Sequence, residues 1–102
     1  MSVVVIARFP VSDFAKAIEG LKAQTALLVK ISEDNKRSGG LHHRVAAGDG
    51  ELIVLDEWAT AEQFQSFFEG NADIEQITAA LGVTGPPTVS VCAPVDDVPG
   101  TF

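Results

Sequence analysis

The fold of this chain is decided by one stretch, Leu52-Ile53-Val54-Leu55-Asp56-Glu57-Trp58-Ala59-Thr60-Ala61-Glu62-Gln63-Phe64-Gln65-Ser66-Phe67-Phe68. It predicts a strand that is apolar on both faces and runs almost directly into a helix. Thr60 and Gln63 fit a capping box at the start of that helix. The strand ends near the only Trp of the chain, and the helix carries three of its six Phe residues. Most of the large aromatic surface is therefore concentrated at this junction.

Two strand patterns and one long helix pattern precede this stretch. Residues 3–9 form a continuous β-branched run that is typical of a buried strand, and residues 41–47 form a second strand. The turn Gly48-Asp49-Gly50 joins this second strand to the third as a hairpin. Between the first two strands, apolar residues spaced by three and four predict a helix that Ser12 caps and that bends at Gly20.

The remaining residues predict a short helix, a last strand and a tail. Asp73 is the predicted cap of the short helix, and Gly82 is its predicted end. Residues 88–93 form the last strand, so we expect one domain over residues 1–94 and an extended tail over residues 95–102. The order βαββαβ predicts an α+β, ferredoxin-like fold, in which helices cover one face of a four-stranded antiparallel sheet.

The strands are apolar on both faces, although the helices of this fold cover only one. A monomer would then expose a contiguous apolar face, which soluble monomers rarely do. Two sheets that pack face to face about a two-fold axis would cover it. We therefore expect a homodimer.

Composition excludes several classes of partner. The formal net charge is −7, which leaves no basic patch for nucleic acid or for an anionic membrane. The apolar run at residues 3–6 is too short to span a membrane. The single cysteine, Cys92, allows no intramolecular disulfide, which fits a cytoplasmic protein, and we expect it to be a small buried apolar residue.

Two adjacent histidines are the main candidates for chemistry. Neighbouring strand residues point to opposite faces, so His42 and His43 cannot hold one metal together, and at most one faces a cleft. Three roles stay open for them: a surface or interface histidine, a general base in the cleft, or a metal ligand. No group of residues has metal-ligand spacing, so we expect no metal site.

The carboxylates Asp56 and Glu57 also point to opposite faces, so one of them is expected near a buried face. A buried carboxylate needs a partner, and the histidines, Arg8 and Arg44 are available on neighbouring strands. A structural ion pair and a catalytic role are the two alternatives.

Several motifs together resemble a known family. They are Gly40-Leu41-His42-His43-Arg44, the hairpin turn at 48–50, the run from Asp56 to Phe64, and Pro86-Pro87 before the last strand. The chain resembles the dimeric α/β-barrel superfamily, and within it the antibiotic biosynthesis monooxygenase-like family. That resemblance implies that two chains pair into a dimeric α/β barrel, with an aromatic-lined cleft between sheet and helices and Trp58 in its wall. We expect Phe64, Phe67, Phe68 and Arg44 as further ligand-binding residues. For the four aromatic residues, packing in the core between helix and sheet is the alternative role.

The resemblance also bears on cofactors. Haem-degrading members of the superfamily supply an axial histidine from the helix after the Trp, where this chain has Phe67-Phe68-Glu69. We therefore expect no cofactor.

Two functional hypotheses follow from the residues and the resemblance. The first is a cofactor-independent monooxygenase-like enzyme that acts on a small aromatic or apolar molecule, with His42 or His43 as the proton acceptor. The chain contains no tyrosine, so no phenol group can assist proton transfer in it. The second is a non-catalytic or stress-related dimer that binds a small ligand in the same cleft.

Overall fold

A computed structural model describes residues 1–100 and shows a four-stranded antiparallel sheet with helices packed on one face. The strand order is β2-β3-β1-β4. The elements are β1 (Val3–Pro10), α1 (Phe14–Ala23), α2 (Thr25–Ser38), β2 (Gly40–Gly48), β3 (Glu51–Trp58), α3 (Ala61–Phe68), α4 (Ala72–Leu81) and β4 (Thr88–Cys92). The α+β, ferredoxin-like prediction is confirmed, with the first predicted helix divided into two.

The two faces of the sheet are distinguished by the alternation of strand residues. On β1, Val5, Ala7 and Phe9 are buried, and Ala7 and Phe9 belong to a core cluster that includes the helix residues Ala17 and Ile77. We call this the inner face. It also contains Asp56, because Asp56 lies directly opposite Val5 in the β1–β3 pair.

The opposite, outer face of the sheet carries no helix. Its apolar residues are half-buried or exposed, and they come from the three longer strands: Val4, Ile6, Ala46, Ile53 and Leu55. Arg8 and Glu51 form an ion pair of 2.6 Å at the edge of this strip. A contiguous apolar strip therefore crosses the centre of the outer face.

Cys92 also lies on the outer face. We expected it to be buried, and in the single chain this expectation was wrong. It pairs with Val4 across β1 and β4, and its side chain is exposed. The cause is its position on an edge strand, on the face that no helix covers.

The first helical segment breaks at Gln24, not at Gly20 as predicted. Gln24 has φ −107° and ψ 32°, and it both ends α1 and precedes α2. A Cβ atom at Gly20 would lie 2.9 Å from the carbonyl oxygen of Ala80. Gly20 is therefore needed because α1 and α4 approach each other closely there, and it does not bend the helix.

The N-terminal helix caps agree with the prediction in one place and differ in two, and Gly82 ends α4 as predicted. Thr60 accepts a hydrogen bond from the backbone N–H of Gln63, which confirms this cap of α3. Asp13, not Ser12, caps α1, and Asn71, not Asp73, caps α4. The observed cap lies one residue from the predicted one in α1 and two residues from it in α4. The predicted and the observed residues all have short polar side chains that can cap a helix, so the sequence alone did not distinguish them.

The described end of the chain is irregular. Residues 93–100 contain no helix or strand. The predicted tail over residues 95–102 extends beyond the described residues, so the domain boundary stays a prediction. Among the described residues, every helix is too short or too polar to cross a membrane.

Candidate functional site

A cavity of about 100 Å³ lies between the inner face of the sheet and the helices. Its wall is mostly apolar and aromatic and comes from β1, β2, β3 and all four helices. The polar side chains that line it are few: Ser32, Asn35, His43, Asp56 and Thr78. An apolar concavity with a few convergent polar groups is the usual form of a small-molecule site.

His43 and Asp56 form a hydrogen-bonded pair in the wall of this cavity. They are direct partners across the β2–β3 pair, and His43 Nδ1 lies 2.6 Å from Asp56 Oδ1. Asp56 is only 7% exposed. The hydrogen bond to the Asp56 carboxylate raises the pKa of His43 above its ordinary value, although burial of the ring acts in the opposite direction.

The second oxygen of Asp56 is held by two further donors. The indole N–H of Trp58 donates to Oδ2 at 3.1 Å, and the side-chain amide of Asn35 reaches the same oxygen at 3.5 Å. An ionised carboxylate only accepts hydrogen bonds, so His43 donates through Nδ1 and keeps Nε2 for another partner. The arrangement therefore fixes both the tautomer and the orientation of the imidazole.

Trp58 lies behind the wall of the cavity. It is fully buried, and its ring centroid is 5.1 Å from that of Phe67 and 5.8 Å from that of Phe64. Phe64, Phe67 and Phe68 line the cavity themselves, and Phe64 stacks on Phe68 at 5.3 Å. Of the expected aromatic residues, the three phenylalanines thus face the cavity, and Trp58 supports them and Asp56.

His42 and Arg44 lie on the outer face, away from the cavity. His42 Nε2 is 3.9 Å from Glu57 Oε1, and its side chain is 80% exposed. Arg44 lies opposite Leu55 in the β2–β3 pair and is exposed. The alternation of β2 therefore brings only one of the two histidines to the cavity, and it does not bring Arg44 there.

The sequence analysis did not identify Asn35. This residue is 4% exposed and lies on α2, one helical turn beyond Ile31 and two turns beyond Leu28. A polar residue that continues an apolar stripe at a spacing of four was the available signal. No group of three or more His, Cys, Asp or Glu side chains among residues 1–100 is placed to hold a metal ion.

Comparisons with known proteins agree with this architecture. No protein-family model and no curated protein matches the chain. A monooxygenase of Streptomyces coelicolor from the gene ActVA-Orf6, solved with the ligand nanaomycin D, is 19% identical with a TM-score of 0.72, and the match covers 98% of this chain and 93% of that one.

Two other solved structures show the same likeness. Rv0793 of Mycobacterium tuberculosis is 24% identical with a TM-score of 0.62, and the match covers 95% of this chain and 98% of that one. SnoaB, a cofactor-independent oxygenase of Streptomyces nogalater, is 14% identical with a TM-score of 0.64, over 96% of this chain and 97% of that one. The chain therefore has the fold of the antibiotic biosynthesis monooxygenase-like proteins, as the sequence resemblance predicted.

Proposed function

We propose that the protein is a cofactor-independent monooxygenase-like enzyme that acts on a small aromatic or similarly apolar molecule. The observation that supports this most is the His43–Asp56 pair, because it sets an imidazole in the wall of a mostly apolar cavity. The proposal also draws on the fold shared with the S. coelicolor monooxygenase and with SnoaB.

The chemistry begins with proton transfer. His43 Nε2 takes a proton from an acidic methylene or hydroxyl group of the substrate, and Asp56 stabilises the imidazolium that forms. The substrate carbanion forms a C–O bond with O₂, and the resulting peroxide anion takes the proton back from His43. The hydroperoxide then loses water as its O–O bond and the second C–H bond break. A methylene becomes a carbonyl, and the other oxygen atom leaves as water. O₂ accepts all four electrons, so no further oxidant is needed.

The apolar wall has its own role in this scheme. It excludes water from the carbanion, and it strengthens the electrostatic stabilisation that the imidazolium provides. Ser32 and Thr78 line the same cavity and offer hydroxyl groups for orienting the substrate.

A homodimer and a cytoplasmic location are parts of the same proposal. The apolar strip on the outer face supports pairing of two sheets, because no helix covers it. The single cysteine suits a reducing compartment.

The test is oxygen uptake with a panel of single-ring hydroquinones. We expect His43→Gln to lower the rate by about 10²-fold or more, the usual contribution of a general base. His42→Gln is the matched control and should leave the rate unchanged, because His42 lies on the other face. Absence of uptake with the whole panel, or equal rates for His43→Gln and the wild type, would contradict the proposal.

One observation favours a second candidate, a binding protein without turnover. The raised pKa of His43 increases the imidazolium fraction near neutral pH, and this form donates a hydrogen bond to a ligand and cannot accept a proton from it. Native mass spectrometry of protein from its own host distinguishes the two candidates. A co-purifying small molecule that is not converted under air would favour binding alone.

A further inference from the structure

We infer that the cavity selects an uncharged compound with a single six-membered ring, and that Phe68 sets this size limit. The inference rests on the proposed role of the cavity as the ligand site, but it concerns binding and not turnover. It follows from the volume of the cavity, from the position of its opening and from the charges at that opening.

The volume limits the size of the ligand. The cavity of about 100 Å³ is smaller than the apolar protein cavity of about 150 Å³ that holds one benzene molecule. A single ring is therefore the largest ring system that the cavity can hold as it stands, and two fused rings require a wall residue to move. The polar residues Asn35, His43 and Asp56 line the same cavity, so a ring that carries a hydroxyl group can hydrogen-bond to His43.

An open groove of about 600 Å³ adjoins the cavity and offers a route from solvent. Phe9, Phe68, Ile74 and Thr78 line both the groove and the cavity, so these four residues form the wall between them. Phe9 is held in the sheet, whereas Phe68 is the last residue of the short helix α3 and stacks on Phe64 at 5.3 Å. This position makes Phe68 the residue that a larger ligand must displace.

The charges at the opening disfavour anions. Glu69 and Glu75 are the charged side chains that line the groove, and no Lys or Arg lines either the groove or the cavity within residues 1–100. An anionic ligand would therefore approach two carboxylates at the opening, where no Lys or Arg of the described residues compensates them. We expect the neutral form of a phenol or enol to enter, and its proton to be lost only inside.

The test measures binding of three probes by calorimetry under anaerobic conditions: phenol, 1-naphthol and 4-hydroxybenzoate. The wild type should bind phenol about tenfold or more tightly than either other probe, since a close-fitting pocket discriminates by about this factor. Phe68→Ala should improve 1-naphthol binding by about tenfold or more. Phe14→Ala is the matched control, because it removes a phenyl ring that is 44% exposed on α1.

A second pair of substitutions examines the charge. Glu69→Gln combined with Glu75→Gln should reduce the preference for phenol over 4-hydroxybenzoate and leave the preference over 1-naphthol unchanged. If Phe68→Ala fails to fold, Phe68→Leu keeps an apolar side chain and should shift the ring-size preference in the same direction.

Equal affinity of the wild type for phenol and 1-naphthol, or no binding of phenol, would overturn the inference. An unchanged preference in Phe68→Ala would also overturn it. Binding that follows ring size without oxygen uptake would instead support the inference and contradict the proposed monooxygenase activity, so the two failures are distinguishable.

Discussion

Gly40 leaves the space that the side chain of Asn35 occupies. A Cβ atom at position 40 would lie 1.6 Å from Asn35 Oδ1, which no small adjustment could accommodate. Asn35 in turn reaches Asp56, which holds His43. The missing side chain at Gly40 therefore lets Asn35 take the position from which it contacts the Asp56–His43 pair.

Gly40→Ala should destabilise the protein because it displaces the Asn35 amide from its buried position. We expect a loss of about 1–3 kcal/mol in the free energy of unfolding, the usual effect of overpacking, measured by urea denaturation. Gly85→Ala is the control, because a Cβ there would meet its nearest atom at 3.9 Å. Equal stability of the two variants would contradict the role of Gly40.

Asp56→Asn should lower the pKa of His43, because the hydrogen bond to the carboxylate is the main cause that raises it. NMR titration of the imidazole ring measures this, and His42→Gln as the background leaves a single histidine to observe. Glu57→Gln is the matched control, since Glu57 lies on the outer face beside His42. A His43 pKa that Asp56→Asn leaves unchanged would refute the assignment.

Stability should depend on pH through His43. A group whose pKa is raised by folding contributes stability that is fully present below its unfolded pKa, about 6.5 for histidine, and is lost as the pH rises through the folded value. The wild type should therefore lose more stability than His43→Gln as the pH increases from about 6.5 into the alkaline range. Denaturation curves at a series of pH values measure this difference, and parallel curves would argue against it.

Trp58→Phe should destabilise the fold while retaining an aromatic ring next to Phe67. The variant loses the indole N–H that donates to Asp56, a hydrogen bond to a buried carboxylate worth about 1.5–3 kcal/mol. The same substitution in an Asp56→Asn background should cost less, because the charged acceptor is already absent. A double-mutant cycle by chemical denaturation measures the coupling, and a coupling energy of zero would show that packing alone accounts for the loss.

Leu55→Lys should dissociate the proposed homodimer. Leu55 is 39% exposed and lies in the apolar strip on the outer face, where a lysine would be buried between two sheets. Sedimentation should give about twice 10.7 kDa for the wild type and 10.7 kDa for the variant. Val29→Lys is the control, as Val29 is 52% exposed on α2. A monomeric wild type at micromolar concentration would contradict the dimer.

The strands and their alternation could be predicted from the sequence because strand geometry is local. The β-branched run at residues 3–6 and the turn at 48–50 indicated the sheet, and the period of two separated His42 from His43. The helix break at Gln24 could not be predicted, because Gly20 is required in its helix by a tertiary contact with Ala80 that the sequence does not reveal.

The site was predicted only in outline for the same reason. The alternation of strand residues predicted that neighbouring side chains take opposite faces of the sheet. Which residue of β2 lies opposite Asp56 on β3 depends on the hairpin register. The contact of Asn35 with Asp56 depends on how α2 lies across the sheet. Trp58 was correctly predicted to lie near the cavity. Its indole lies behind the phenylalanines and donates to Asp56, and this position depends on how α3 packs on the sheet.

The direct pairing of His43 with Asp56 also makes the chemistry of the site depend on the length of the hairpin turn. A change of one residue in the length of the turn would move every β2 side chain to the other face of the sheet. Because position 42 is also a histidine, a slip in one direction would still set an imidazole opposite Asp56, whereas a slip in the other would set Arg44 there. Removal of one turn residue would thus keep an imidazole beside the carboxylate, whereas addition of one would replace it with a guanidinium.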